Sequence, residues 1–263
     1  MGHSNEDALK QYDSKKYRTP DGYTSDIAIF TITKKQEENH RPPVYSLQLM
    51  LIQRALTDNE GRPNIEAGKW ALPGGFVQET ETAREAAVRE LEEETSISGI
   101  YLRHFGIYDR PGRDPRGWII SNAHFAIVPE EHLRVRKAAD DAAKVELVEI
   151  EQVFRLPLAF DHREIIEEAV HLIKKELIQT TIAKEFLPEE FTLSELQSLL
   201  MLVTDDEAIK ESASFFRKAP TLPFLELVVD EEGNPKKTQR NSKKPSNLYR
   251  FTGESPVSSV YKM

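Results

Sequence analysis

The pattern of apolar and polar positions predicts a layered α/β domain over residues 21–180. Several short segments are rich in β-branched and aromatic residues, which is typical of strands, and in the first of them Ile27, Ile29 and Thr31 alternate with Ala28 and Phe30. The segment 165–177 instead repeats apolar residues at helical spacing, so that one stripe of a helix faces a core. This order of elements favours an α/β/α sandwich around a mixed sheet. The predicted strands are residues 22–33, 44–54, 101–108, 118–128 and 145–150.

A helix with an unusual end is predicted within the segment 75–97. Thr82 and Glu85 have the spacing of a capping box, which places the start of the helix at Thr82. The last turn is crowded with glutamates, although the helix dipole disfavours each acid there by about 0.3–1 kcal/mol. Because of the i, i+3, i+4 spacing, three of these carboxylates share one face. They are Glu90, Glu93 and Glu94.

Carboxylates that converge on one face are stable when a cation joins them. The hard, oxygen-liganded Mg²⁺ is the natural candidate, with Mn²⁺ as a substitute, because Mg²⁺ binds through a few carboxylates and substrate phosphates. Arg89 is a candidate counter-charge that orients one carboxylate. The alternative is a solvated acidic face. The adjacent Gly74 and Gly75 just upstream favour a site, since paired glycines let the backbone approach a ligand closely.

These residues resemble the Nudix hydrolase family. The family pattern is a glycine, five residues, a glutamate, seven residues, Arg-Glu, an aliphatic residue, any residue, Glu-Glu, any residue, a glycine and an aliphatic residue. Ser96 stands in place of the second glycine. The resemblance implies Mg²⁺ on the three glutamates, hydrolysis of a nucleoside diphosphate derivative, and Glu93 as the simplest alternative base. The matching positions are Gly75, Glu81, Arg89, Glu90, Leu91, Glu93, Glu94 and Ile97.

Several arginines outside the helix are candidates for binding an anionic substrate. One ends the second predicted strand, and three lie in the loop 109–117, where guanidinium groups could clamp phosphate. The alternatives are a solvated strand end and a solvated turn. We expect Asp161 to cap the helix that follows it and His162 to be structural. The candidate substrate-binding residues are Arg54, Gly74, Gly75, Arg110, Arg113 and Arg116.

Composition limits the compartment and the kinds of chemistry. The chain has no cysteine, which excludes disulfides, thiolate zinc sites and cysteine nucleophiles. No apolar run approaches the length of a membrane span, and the N-terminus lacks a signal-peptide pattern, so we expect a cytoplasmic protein without membrane contact. The net charge of −9 falls entirely on residues 1–190, because residues 191–263 sum to zero.

The C-terminal part predicts a second, smaller domain. Phe191, Thr192, Glu195 and Leu196 combine a capping box with a hydrophobic staple. A further helix is predicted at 205–219, followed by strands at 222–229 and 247–252 around a basic turn. This order is typical of an α+β winged helix-turn-helix that contacts DNA, and the alternative is a dimerisation module. The predicted DNA contacts are Lys236, Lys237, Arg240, Lys243 and Lys244.

The whole chain resembles the NrtR group, which joins a Nudix domain to a C-terminal winged helix. The resemblance rests on residues 71–77, 113–117, 158–162, 191–197 and 245–251. It implies a homodimer and a small, nucleotide-sugar-like ligand, either ADP-ribose hydrolysed to AMP and ribose 5-phosphate or ADP-ribose sensed by a DNA-binding regulator of NAD metabolism. The domains would be an arm (1–20), a Nudix domain (21–180) and a winged helix (186–263).

The intact acidic face favours the hydrolase, because a pure sensor needs no costly cluster of carboxylates. The predicted helix 205–219 points the same way. It carries Asp205, Asp206, Glu207 and Glu211, which DNA phosphates would repel, whereas the basic turn favours the regulator.

Overall fold

The five predicted strands of the first domain and two short strands on either side of Leu72 and Pro73 form a mixed sheet of seven strands. The computed structural model describes residues 5–16, 18–36, 40–57, 60–95, 99–130 and 144–253. The strand order is β3-β2-β1-β6-β5, with β4 beside β1 and β7 beside β2. Strand β1 is parallel to β6 and antiparallel to β2 and β4. The strands are β1 (Gly22–Gln36), β2 (Val44–Gln53), β3 (Trp70–Ala71), β4 (Gly74–Phe76), β5 (Tyr101–Tyr108), β6 (Ile119–Ile127) and β7 (Val145–Glu149).

Helices cover both faces of this sheet, as the period-2 alternation of β1 requires. Ile27 and Ile29 pack with the apolar side of one helix, whereas Ala28 and Phe30 face another. The predicted α/β/α sandwich is therefore confirmed. The helices of this domain are α1 (Asn5–Gln11), α2 (Ala83–Thr95), α3 (Ile150–Val153) and α4 (His162–Gln179), of which α2 and α4 form the two outer layers.

The predicted capping box starts α2. The Glu85 backbone N–H donates to Thr82 Oγ1 at 3.2 Å, and the Thr82 N–H donates to Glu85 Oε2 at 2.7 Å. The cap predicted for α4 is wrong. Asp161 occupies the cap position, but its carboxylate makes no cap hydrogen bond and instead accepts from Arg113.

The C-terminal unit has the order of elements of a winged helix, which confirms the predicted α+β domain. The Thr192–Glu195 capping box is present, with both reciprocal hydrogen bonds at its start. Phe191 and Leu196 of the staple are buried. The elements are α5 (Leu193–Leu200), α6 (Glu207–Lys210), α7 (Ser212–Lys218), β8 (Leu225–Leu227), β9 (Lys237–Thr238), β10 (Ser246–Asn247) and β11 (Tyr249–Phe251).

Two predictions for this unit are corrected. The single helix 205–219 is wrong, because Glu211 is extended (φ −75°, ψ 103°) and separates α6 from α7. The predicted basic turn 230–246 also contains β9. A tight acidic turn at 230–234 precedes β9, and a basic loop at 239–245 follows it.

The two units share a continuous core. Leu187, Phe191 and Leu196 from the C-terminal side belong to the same buried cluster as Phe30 and Leu47 of the sheet. Within the described part of the chain, no helix combines the length and the apolar character needed to cross a membrane.

Candidate functional site

The glycine turn lies directly against the acidic helix. Gly74 and Gly75 pair with Asp26 and Ser25 of β1, so β4 lies antiparallel beside β1. Gly74 has φ +152°, and a Cβ there would overlap the Ser25 carbonyl oxygen. A Cβ on Gly75 would overlap the carboxylate of Glu90. Position 74 therefore requires glycine, whereas a side chain at Gly75 would displace the Glu90 carboxylate from its place against the bare backbone.

Arg89 joins the carboxylates of this site. Its guanidinium donates to Glu81 at 2.8 and 3.1 Å and to Glu90 Oε1 at 2.8 Å, and it also donates to the Phe76 carbonyl at 3.3 Å. Glu93 lies 3.6 Å from the same group. The hydrogen bonds to Glu81 and then Glu90 raise the pKa of Arg89, and Arg89 in turn lowers the pKa of Glu81. This fork keeps like charges together.

Glu81 was missed as an anchor, because the sequence gives it only as a pattern position. Glu81 lies in the turn before α2, and Arg89 lies eight residues later, within the helix. The signal that could have found it is the fixed spacing of the pattern itself.

The donor set fits a hard divalent cation. Glu90 and Glu93 offer carboxylate oxygens from one helix face, with side-chain exposures of 15% and 60%. The side chain of Glu94, the third predicted ligand, lies outside the described residues. Among the described side chains, no three His, Cys, Asp or Glu groups converge into a closed metal cage. Mg²⁺ needs only one or two carboxylates when substrate phosphate completes its shell, so this open arrangement suits it.

A second part of the site is built around Phe160. The guanidinium carbons of Arg54 and Arg116 lie 5.0 and 5.1 Å from the centre of the Phe160 ring, and Arg116 also lies 5.3 Å from the ring of Phe76. Phe160 has φ +49°, which is unusual for a bulky side chain and strains the backbone, so its surroundings must hold it there. Asp114 pairs with Arg116 at 2.6 Å. Two of the predicted substrate arginines are thus brought together by an aromatic residue that sequence reasoning missed.

The electrostatics of this part favour an anion. Burial lowers the pKa of Arg54, and the positive charge of Arg116 lowers it further. Arg54 is held by the Ile65 carbonyl at 2.8 Å and by Asn64 Oδ1 at 3.1 Å. Neither contact carries a negative charge. Asp114, which pairs with Arg116, and the charges of Glu66 and Asp26 offset part of the repulsion between the two cations. A bound anion would offset more of it.

The other two arginines of the predicted clamp are placed elsewhere. The prediction that Arg113 binds substrate is corrected, because its side chain is only 3% exposed and donates to Asp161 at 2.6 and 2.8 Å. Its fork is used inside the protein and does not face a ligand. Arg110 is exposed and pairs with Glu164 at 3.3 Å, so the structure does not bring it onto the Phe160 ring.

The predicted DNA contacts divide into two sets. Lys237, Lys243 and Lys244 are exposed on the wing, the segment from β8 to β11 (residues 225–251). Lys236 pairs with Glu190 at 2.6 Å. Arg240 donates to the carboxylate of Glu195 at 2.6 and 2.9 Å and to the Glu190 carbonyl at 2.8 Å, so it is anchored in the protein.

The separation of α6 from α7 also bears on the predicted DNA contact. The acids that argued against DNA contact belong to the short helix α6 and to the residues around it. Helix α7 has the sequence SASFFRK, contains no acid and ends in Arg217 and Lys218. Three of the four acids therefore lie outside α7, and the fourth, Glu211, occupies its N-cap position.

Comparison with known proteins agrees with this two-part architecture. The profile of the NUDIX domain matches residues 25–169, and that of the NrtR DNA-binding winged helix domain matches residues 183–251. The chain belongs to the Nudix family and carries an NrtR-type winged helix at its C-terminal side.

Three relatives illustrate the range of the family. The ADPR responsive transcriptional repressor NtrR of Acinetobacter baylyi is 31% identical over 92% of this chain and 86% of its own length. An ADP-ribose pyrophosphatase of Methanocaldococcus jannaschii is 35% identical over 61% of this chain and 80% of its own. The crystal structure of Shewanella oneidensis NrtR with a 27mer DNA is 25% identical, with a TM-score of 0.68 over 90% of this chain and 98% of its own.

Proposed function

We propose that this protein is a divalent-metal-dependent hydrolase that cleaves the diphosphate of ADP-ribose to give AMP and ribose 5-phosphate. The observation that carries the proposal is the fork of Arg89, which joins Glu81 to Glu90, while the Glu90 carboxylate lies against the backbone of Gly75. A cluster of mutually repelling carboxylates is expected of a metal site and not of a simple ligand sensor. The ADP-ribose pyrophosphatase relative supports the choice of substrate.

Glu90 and Glu93 would hold the ion, with Glu94 as the third predicted ligand, and Mg²⁺ or Mn²⁺ suits these oxygen donors. When bound, the ion supplies Lewis-acid stabilisation of charge on the diphosphate. Arg89 orients Glu90 through its hydrogen bond. Glu93 is exposed and adjacent, so it is the residue that can accept a proton from water at its carboxylate.

The diphosphate would lie between the acidic helix and the ring of Phe160. Arg54 and Arg116 supply two positive charges there, of which Asp114 compensates the second, so an anion beside the Phe160 ring would gain favourable charge interactions with both guanidinium groups. The backbone of Gly74 and Gly75 can approach the ligand closely because no side chain intervenes. Arg110 stays a predicted peripheral contact.

Hydrolysis is tested with the substitution Glu93→Gln. We expect AMP release from ADP-ribose with Mg²⁺ to fall by about 10²–10⁴-fold, because the variant loses both a carboxylate ligand and a candidate base. Glu92→Gln is the matched control, since Glu92 is exposed on the same turn. Equal thermal midpoints would show that the fold is kept. A parental rate in the Glu93 variant would refute the assigned mechanism.

A second candidate function is transcriptional regulation through DNA binding. It is favoured by α7, which carries no acid, and by the exposed Lys237, Lys243 and Lys244. The repressor relative spans nearly the whole chain. In this function ADP-ribose would shift the protein between states of different DNA affinity. We also propose a homodimer, because winged-helix readers commonly pair on two half-sites.

DNA binding is tested by the salt dependence of affinity for mixed-sequence duplexes. The double substitution Lys243→Ala with Lys244→Ala should reduce the slope of log K against log salt by about two, since each phosphate contact contributes about 0.9. The control is Lys174→Ala with Lys175→Ala in α4. An unchanged slope would show that the basic loop does not contact DNA. The proposed homodimer is tested separately by the molecular mass from analytical ultracentrifugation.

A further inference from the structure

We propose that His162 is a positioning residue that holds both halves of the site, the glycine turn against Glu90 and the Phe160 ring beneath the two arginines. His162 is 4% exposed and lies at the start of α4. Its side chain contacts Leu72, just before the glycine turn, and Phe160, two residues before α4. The kinetic part of this inference rests on the proposed hydrolase function, and its structural part does not.

The first contact replaces a missing strand bond. The Leu72 backbone N–H donates to His162 Nδ1 at 2.9 Å in the protein interior. Leu72 directly follows β3, where the chain leaves the ladder to form the glycine turn. An imidazole nitrogen that accepts here carries its proton on the other nitrogen, so the ring is neutral. A side chain thus supplies the acceptor that a longer strand would have supplied.

The reason for this replacement lies in the segment before α4. The Trp70 N–H donates to the Pro157 carbonyl at 2.9 Å, and the Ala159 N–H donates to the Trp70 carbonyl at 2.8 Å, so the segment runs beside β3. Phe160 then adopts φ +49° and leaves this pairing. Its ring is free to lie beneath Arg54 and Arg116, and His162, two residues later, closes the gap at Leu72.

The second contact is with Phe160 itself. The ring centres of Phe160 and His162 lie 5.6 Å apart at an interplanar angle of 48°. A residue held in a left-handed conformation persists only when its surroundings fix it. The His162 ring is therefore one of the supports that keep the Phe160 ring beneath the guanidinium groups.

The far side of the ring faces β1. His162 Nε2 lies 3.9 Å from Asp26 Oδ2, and Asp26 is the partner of Gly74 in the sheet. Ser121 donates its hydroxyl to the same carboxylate oxygen, and Arg113 lies 3.9 Å from it. The ring is held between the glycine turn and the strand on which that turn rests.

Two substitutions separate the contacts. In His162→Asn the amide oxygen can take the place of Nδ1 and accept from Leu72, but the ring beside Phe160 is lost. In His162→Phe the ring is kept and the acceptor is lost. His171→Asn, exposed on the same helix, is the control. If the phenylalanine variant does not fold, His162→Gln takes its place, because its amide reaches the Nε2 position instead.

Two readouts are expected to respond in opposite ways. Exchange of the ¹⁵N-leucine-labelled Leu72 amide should accelerate by about tenfold or more in His162→Phe, and kcat should fall by a similar factor with KM almost unchanged. In His162→Asn exchange and kcat should stay parental, whereas KM, or Kd for ADP-ribose, should rise by about tenfold. A residue that only stabilised the fold would not split kcat from KM.

The proposal is overturned if Leu72 exchanges at the same rate in the two variants, or if the asparagine variant binds ADP-ribose as tightly as the parent. Absence of hydrolysis in the parent protein would count against the proposed function alone. The exchange rate of Leu72 and the affinity for ADP-ribose would still decide the role of His162, since neither depends on turnover.

Discussion

At the scale of single residues, Arg89 shows how one side chain can organise a cluster of like charges. Lysine at this position would keep the charge but lose the planar fork that reaches Glu81 and Glu90 together. We expect Arg89→Lys to lower kcat/KM for ADP-ribose by about 10–100-fold and to raise the Mg²⁺ concentration for half-maximal rate. Steady-state AMP release checks this. Arg84→Lys, exposed on the same helix, should leave both quantities unchanged. A parental Mg²⁺ dependence in Arg89→Lys would show that the fork is dispensable.

Two buried histidines make the stability of the protein sensitive to mild acid. Burial, followed by the nearby charge of His104 and opposed by a hydrogen bond to the Asn122 backbone, lowers the pKa of His124 to about 4. Burial likewise lowers the pKa of His162. Since both values lie below that of the unfolded chain, protonation favours unfolding. Their contribution is complete above about pH 6.5 and declines as pH falls towards the folded values.

The free energy of unfolding should therefore fall between pH 7 and pH 5 by up to about 1.4 kcal/mol per pH unit for each histidine. Urea titrations at several pH values measure the slope. His124→Asn should flatten it, because one of the two titrating rings is gone, and His171→Asn should not. A flat profile in the parent would contradict the assignment.

At the scale of elements, local signals were readable from the sequence and distant polar contacts were not. The start of α2 follows from the Thr82–Glu85 pair, three residues apart, and the structure confirms it. The break between α6 and α7 has no such local signal. Gln197 of α5 donates its amide to the Ile209 carbonyl at 2.6 Å and accepts from the Ser212 hydroxyl at 3.3 Å. This buried side chain captures the end of α6, so tertiary contact overrides helix propensity.

Arg113 shows the same limit within the site. Its neighbours in sequence are charged residues, glycines and prolines of a loop, which favours a solvated position. Its partner Asp161 is 48 residues away, and only the packing of the loop on α4 brings the two together. The arrangement of Arg54 and Arg116 around Phe160 depends on three separate segments in the same way. Sequence therefore predicted the residue types of the site but not which arginines share it.

At the scale of the whole molecule, the wing is anchored to the body of the protein. His40 Nδ1 of the β1–β2 hairpin lies 2.9 Å from the Gln239 carbonyl of the basic loop. Asn241 donates to Thr192 Oγ1 at 3.0 Å at the start of α5. Tyr45 of β2 is buried beside Glu195 and Arg240, and its pKa is raised by burial and then by the charge of Glu195. The basic loop therefore joins the sheet, α5 and the wing in one contact region.

Arg240 is the central contact of that region. We therefore predict that it stabilises the fold, whereas the sequence predicts that it contacts DNA. Glu195 is 3% exposed, and burial alone would raise its pKa. The hydrogen bonds from Arg240 and from the Thr192 backbone hold that pKa below the usual value. Removing Arg240 leaves a buried carboxylate with fewer partners. Arg240→Ala should lower the free energy of unfolding by about 1–3 kcal/mol, whereas Lys243→Ala, exposed in the same loop, should change it by less than about 0.5 kcal/mol.

The salt dependence of DNA binding separates the two roles of these residues. If Arg240 is an anchor, Arg240→Ala leaves the slope of log K against log salt unchanged once the protein is folded, and Lys243→Ala reduces it by about 0.9. Arg240→Lys should fall between parent and alanine in stability, because it keeps the charge without the bidentate geometry. A parental stability of Arg240→Ala combined with a reduced slope would place Arg240 on phosphate. The contacts to Glu195 and Glu190 would then have to open whenever DNA binds.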